Sequence, residues 1–328
     1  MSATERLANK PFGPWLEQQA AKKPAGLRGM ELILEHYWAL VAVSKRGEGI
    51  IVLTIAQITD LHITSDKDPL NQARNEARLR TALKAIHALK PRPVAILATG
   101  DLVDRGEPEE YAELARIVEA SEIPIYFGVG NHDLRSPLQA AFKAPQVQTD
   151  ANGFIQYVLD FDDLRVVMVD TLEEGQNNGA FCAKRAKWLK STLSKNKRKP
   201  TVVALHHPPI ASGIQWMDPG PKEEWIVRLS KTLRDQRHVR TVICGHLHRG
   251  FHAPFAGTIV AVSPATSIQL TLDLSPVDMR VPDGREILTD EPVGFSLLMW
   301  RQGVLTTHVC QAGDFAPAVH YQFPFIKA

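Results

Sequence analysis

IIVLTIAQITDLH, residues 50–62, is a β-branched apolar run that ends in a carboxylate and an imidazole. Its apolar part, Ile50 to Ile58, reads as a strand buried on both faces. Asp60 and His62 fall just past its end. The same arrangement recurs along the chain. Val94 to Ala98 runs into Gly100-Asp101-x-x-Asp104, and Ile123 to Val129 into Gly130-Asn131-His132-Asp133. Thr201 to Leu205 leads to His206-His207, and Val239 to Cys244 to Gly245-His246-x-His248. Five strands therefore deliver metal-capable side chains beyond their carboxyl ends, where open α/β sheets bind their ligands.

Residues 71–90 space apolar side chains three or four apart and predict an amphipathic helix that Pro91 and Pro93 end. A second helix is expected over 109–119, so the first half reads β-α-β-α-β, a largely parallel sheet with right-handed crossovers. The second half predicts a hairpin (154–159 and 164–170), a helix through Trp188 and Leu189, and another over 224–234. Further strands are expected at 257–262, 267–272, 295–300 and 304–309. The expected fold class is α/β in the α+β sandwich sense: two mixed β-sheets packed face to face and flanked by helices. Three segments follow: an N-terminal extension (1–48), a core (49–272), and a C-terminal loop, final strands and tail (273–328).

Composition narrows the chemistry. The 328 residues carry 38 Lys and Arg against 36 Asp and Glu, a formal charge of +2. A binder of nucleic-acid backbone would show a larger or more clustered basic excess, so no nucleic-acid partner is expected. The three cysteines, Cys182, Cys244 and Cys310, have no C-x-x-C spacing and read as reduced thiols. The run from Leu32 to Val43, interrupted by Glu35 and His36, is too short to span a bilayer and lacks a cleavage pattern. A cytoplasmic protein with no membrane partner is expected. The leader and the aromatic tail (Phe315, Tyr321, Phe323, Phe325) read as packing or subunit-contact segments, which leaves a homo-oligomer open.

Each motif alone has an ordinary explanation. Asp-x-His can be a turn, Gly-Asp-x-x-Asp a helix cap, and Asn-His a left-handed bend. Five of them at strand ends in one domain are not explained that way. In extended backbone, residues i and i+2 share a side, so Asp60 with His62, and His246 with His248, are each expected to reach one ion. A carboxylate such as Asp101 can bridge two metals.

The ordered set D-x-H, G-D-x-x-D, G-N-H-D, H-H-P-P and G-H-x-H resembles the calcineurin-like metallophosphoesterases, over roughly residues 52–270. The text GDLVDRGEPEEY (100–111) and the segment around Trp216-Met217-Asp218 look like the branch of class III cyclic nucleotide phosphodiesterases and glycerophosphodiesterases. The resemblance implies an αββα sandwich with two transition-metal ions (Fe, Mn or Zn). One would be held by Asp60, His62, Asp101 and His248, the other by Asp101, Asn131, His206 and His246. It implies hydrolysis of a small phosphate diester, of the 3',5'-cyclic AMP type, by in-line attack of a bridging hydroxide. His132 would be the catalytic acid, with Asp133 orienting it. Asp104 and His207 would support the ligands. Loop 210–222, with Trp216 and Met217, is the candidate for specificity.

Overall fold

The computed structural model describes residues 52–65, 67, 69–220 and 222–317. Val52–Gly313 form one compact unit. The leader and the tail beyond Pro317, with the packing and subunit-contact roles expected of them, lie outside the described residues.

The opening apolar run becomes β1 (Leu53–Ile58), in which every residue after the first is buried. It pairs in parallel with β2 (Ala95–Ala98), which pairs in parallel with β3 (Ile125–Phe127). The helices between them are α1 (Pro69–His87) and α2 (Pro108–Val118). Pro108 opens α2 where a missing N–H costs nothing. Glu110 folds back to accept the backbone N–H of Arg105 (2.9 Å) and Glu107 (3.2 Å). A short α3 (Arg135–Ala141) follows. Its seven residues bury only Leu138, so it leaves no periodic signal in the sequence.

The second sheet begins with the hairpin β4 (Tyr157–Asp160) and β5 (Arg165–Met168). α4 (Ala183–Lys195), β6 (Thr201–Ala204), α5 (Glu224–Leu233) and β7 (Val239–Cys244) follow. The hairpin β8 (Phe251–Phe255) and β9 (Thr258–Val262) completes it, in the order β4-β5-β6-β7-β9-β8. β8 carries Pro254 and sits at the edge, the place a proline is tolerated. The strand expected over 267–272 shrinks to β10 (Gln269–Leu270), which pairs with a two-residue β11 (Leu288–Thr289). β12 (Val293–Arg301) and β13 (Val304–Ala312) return to the first sheet, whose order is β13-β12-β1-β2-β3.

Two apolar layers hold this together. Ile55, Ile96 and Phe127 of the first sheet share one core with Val166, Val202 and Ile243 of the second and with Leu79 and Leu114 of the helices. A separate cluster seats Leu189 of α4 and Leu229 of α5 on Val203 and Val242. The layering is helix, sheet, sheet, helix, as expected.

Gln57, the one amide in the opening strand, is buried. It donates to Thr99 Oγ1 (3.0 Å) and to the Cys244 carbonyl (2.9 Å), which ties the exits of β1, β2 and β7 together across the sheets. Beyond β5, Asp170 is fully buried and takes two bonds of 2.8 Å from the Arg135 guanidinium. Asp170 also accepts the Ile155 and Leu172 amides. Removing one partner of such a pair strands a buried charge. Arg135→Ala is therefore expected to lower unfolding free energy by about 3 kcal/mol in urea denaturation.

Candidate metal centre

All seven predicted donors lie where the two sheets present their strand ends. Asp60 and His62 follow β1, Asp101 follows β2, and Asn131 follows β3. His206 follows β6, and His246 and His248 follow β7. The extended geometry expected for Asp-x-His and His-x-His is not what forms. Asp60 (φ 53°), His62 (45°), Asp101 (48°), His246 (70°) and His248 (46°) all adopt left-handed backbone. Each such residue costs on the order of 1–3 kcal/mol and persists only where its surroundings over-determine it.

Those surroundings are a backbone ladder that continues past the strands. Asp60 N–H donates to Gly100 O (3.0 Å), and the amides of Leu61 (2.8 Å) and His62 (3.1 Å) share Asp101 O. From the other sheet, Thr266 N–H donates to Thr59 O (2.9 Å), and His246 N–H lies 3.0 Å from both oxygens of the Asp60 carboxylate. The glycines serve close approach. A Cβ on Gly130 would collide with the Asp101 carboxylate and His206, and one on Gly245 with Thr59 and Asp60.

The side chains form overlapping clusters. Possible donor atoms of Asp60, His62 and His248 lie within 4.8 Å of one another, as do those of Asp60, Asp101 and His206. Asp101 Oδ2 stands between the groups, 3.2 Å from His206 Nε2 and 3.8 Å from His62 Nε2. His206 Nδ1–H donates to Thr99 O (3.0 Å) and His248 Nδ1–H to Ile268 O (2.6 Å), so each ring is fixed with its Nε2 facing inward. The Nε2 atoms of His62 and His248 sit 3.1 Å apart. Asn131 Oδ1 is buried without a hydrogen-bond partner.

Electrostatics point the same way. Burial pushes the Asp60 carboxyl up, opposed by His206 and reinforced by Asp101. Burial also disfavours an Asp101 anion, but His206, His62 and His132 outweigh it and hold the group well below its usual range. His206 is pulled up to about 9 despite burial, by Asp101 and Asp60. Burial and neighbouring imidazoles push His246 down to about 3 and His248 to about 4, so both are neutral and ligand-ready near pH 7. Paired lone pairs, an orphaned amide oxygen and packed carboxylates are the complement of bound cations, and the residues fit two of them.

His132 and Asp133 part company. His132 Nδ1–H donates to the Asp104 carbonyl (2.7 Å), and its ring stands edge-on to His62. Asp133 is buried, and its carboxylate receives Gly130 N–H (2.8 Å), Leu102 N–H and the Tyr111 hydroxyl (2.9 Å). Burial and nearby Asp101 raise that carboxyl to about 7. The orienting contact expected of Asp133 comes instead from Asp104, because Asp133 clamps the turn that carries Asn131. Asp104 also reaches His62, with its Oδ1 3.3 Å from Nδ1. His207 packs against His246 with its Nδ1 2.8 Å from Thr171 Oγ1. Sequence reasoning passed over Gln57, whose signal was a lone amide inside an apolar strand.

Such a constellation, His- and carboxylate-rich at the ends of two stacked sheets, defines a dimetal hydrolase site. Residues 53–250 match the calcineurin-like phosphoesterase family. A probable glycerophosphodiester phosphodiesterase (GpdQ) of Arcobacter nitrofigilis is 30% identical over 80% of this chain and 94% of its own. A probable cyclic nucleotide phosphodiesterase of Rhodococcus erythropolis is 34% identical over 71% and 77%. A cAMP/cGMP dual specificity phosphodiesterase of Mycobacterium tuberculosis is 31% identical over 71% and 73%. Among solved structures, a dimetal phosphatase from Danio rerio superposes with a TM-score of 0.54 at 14% identity, covering 80% of this chain and 99% of that one. A purple acid phosphatase from yellow lupin gives 0.57 at 15%, over 80% and 52%. The chain belongs to the calcineurin-like phosphoesterase family and is a metal-dependent phosphoric diester hydrolase.

Gly130→Ala is expected to keep the fold but retain less than half the wild-type metal after dialysis, as read by elemental analysis, because the new methyl displaces Asp101 and His206.

Proposed function

We propose that this chain hydrolyses small phosphate diesters, and cyclic nucleotides of the 3',5'-cyclic AMP type in particular, with two transition-metal ions drawn from Fe, Mn and Zn. The observation that carries the reading is Asp101, buried and shared between donors from both sheets. One ion would take Asp60, His62, Asp101 and His248, and the other Asp101, Asn131, His206 and His246. Ions held by these residues would supply positive charge for the phosphate anion and lower the pKa of a water for attack on phosphorus.

The remaining work falls to the chain. His132 is only partly covered, at 38% side-chain exposure, and its Nδ1 is engaged by Asp104. Its Nε2 is thus the nitrogen available to protonate the leaving oxygen. Burial opposes a charge on His132, but Asp101 and Asp104 raise its pKa, which favours the donor form. Asp133 and Tyr111 keep the turn rigid beneath it. The substrate reading rests on the sequence relatives, which are named as glycerophosphodiester or cyclic nucleotide phosphodiesterases. Among the described residues no helix is long and apolar enough to cross a membrane.

After reconstitution with Mn²⁺, bis(p-nitrophenyl) phosphate should be cleaved faster than p-nitrophenyl phosphate, with cyclic AMP turned over alongside. Asn131→Ala or chelation should abolish all three. Equal or faster monoester cleavage would contradict the diester reading. A separate test concerns His132→Ala. It should keep its metals yet lose about 10²-fold in kcat on cyclic AMP, with a smaller loss for the p-nitrophenolate leaving group, which needs no proton.

A further inference from the structure

The near-neutral charge of the chain conceals a segregation. Residues 183–199 (AKRAKWLKSTLSKNKRK) hold eight of the 38 cationic side chains and none of the 36 acidic ones. The rest of the chain consequently carries an excess of six acidic residues. This stretch is α4 and the turn after it. Two of its cations have partners inside the fold: Arg185 is buried and bonds the Ala180 and Leu172 carbonyls, and Lys199 pairs with Asp160. The other six, Lys184, Lys187, Lys190, Lys195, Lys197 and Arg198, are exposed and form no ion pair among the described residues.

Half of these cations line one groove. A cavity of about 380 Å³ beside α4 is lined by Lys184, Lys187, Trp188, Ser191 and Lys195, together with Asn152. Lys184, Lys187, Ser191 and Lys195 recur three or four apart, so they form a single face of the helix. Trp188 is half-buried, rooted in the apolar layer beneath, and borders the groove among the lysines. Cationic side chains along a concave track with an aromatic wall are what a single nucleic-acid strand requires: phosphates meet lysines while a base stacks on the indole. A bilayer asks for an apolar face turned outward. The leucines of α4, Leu189 and Leu193, are fully buried, which leaves no such face.

We propose that this groove is a second, non-catalytic site that binds single-stranded nucleic acid without sequence preference. Lys184, Lys187 and Lys195 contact successive phosphates, and Trp188 stacks on a base. The site lies on the outer helical layer, and none of its residues is a donor of the metal centre. Binding therefore adds a polyanion tether to a phosphoesterase and leaves the diester chemistry intact. It also revises the expectation that no nucleic acid is a partner, which rested on a basic excess read as small and unclustered.

The test uses the full chain, metal-loaded, and a fluorescein-labelled oligothymidylate of about twelve nucleotides, checked on gels to be intact. Fluorescence anisotropy should show binding that weakens with salt, with a log–log slope of about −2 if three phosphates are neutralised. The variant Lys184→Glu/Lys187→Glu/Lys195→Glu should lose at least tenfold in affinity. Its unchanged turnover of bis(p-nitrophenyl) phosphate would show that fold and metal centre survive. Trp188→Leu, which keeps apolar packing, should lose about fivefold with little change in salt slope. A milder pair, Lys187→Ala/Lys195→Ala, should fall between wild type and the triple variant. Absence of binding overturns the proposal, as does binding that the lysine variants do not alter, since that places the strand elsewhere. Lysine-dependent binding to phosphatidylglycerol vesicles with no binding of the oligonucleotide overturns it in favour of a lipid surface.

Discussion

Two carboxylates, Asp60 and Asp101, are buried side by side at the exits of adjacent parallel strands. Burying like charges together is unfavourable unless positive charge is supplied. Part of that charge comes from His206, which belongs to the opposite sheet and is held 3.2 Å from Asp101. His246 approaches from the same sheet, and its amide faces the Asp60 carboxylate. The packing of the two sheets and the neutralisation of their shared site are thus one constraint. Bound cations satisfy it more completely than imidazoles alone.

The strain at the strand exits follows from that constraint. A donor carried on straight extended backbone would alternate with its neighbour and run out along the strand. Left-handed conformations at five of the seven donors turn the chain back on itself and aim side chains inward. Backbone bonds such as Leu61 to Asp101 and Thr266 to Thr59 hold the exits in this form. Gln57 locks the same ends from beneath, bonded to both β2 and β7. The helices contribute mainly by covering the sheets, except that Tyr111 of α2 reaches Asp133 and steadies the Asn131 turn.

Much of this was legible in the order of residues. Apolar runs ending in Asp, Asn or His announced the strands and the candidate donors together, because a parallel strand buried on both faces is a continuous apolar segment. What was hidden had physical reasons. β8 alternates weakly and carries Pro254, and α3 buries one side chain, so neither presents a period. The left-handed donors could not be read, since non-glycine residues adopt that backbone only under tertiary pressure. Asp104 orients His132 through its carbonyl, an atom every residue possesses. The basic face of α4 vanished into a net charge of +2 because the remainder of the chain is acidic.

Asp101 is expected to join two metal positions into one centre. Titrating the metal-free protein with Mn²⁺ and recording its electron paramagnetic resonance spectrum tests this directly. A second equivalent should convert the spectrum to that of an exchange-coupled pair, and Asp101→Ala should prevent the conversion. Saturation at one equivalent, or two equivalents that remain magnetically isolated, would contradict it.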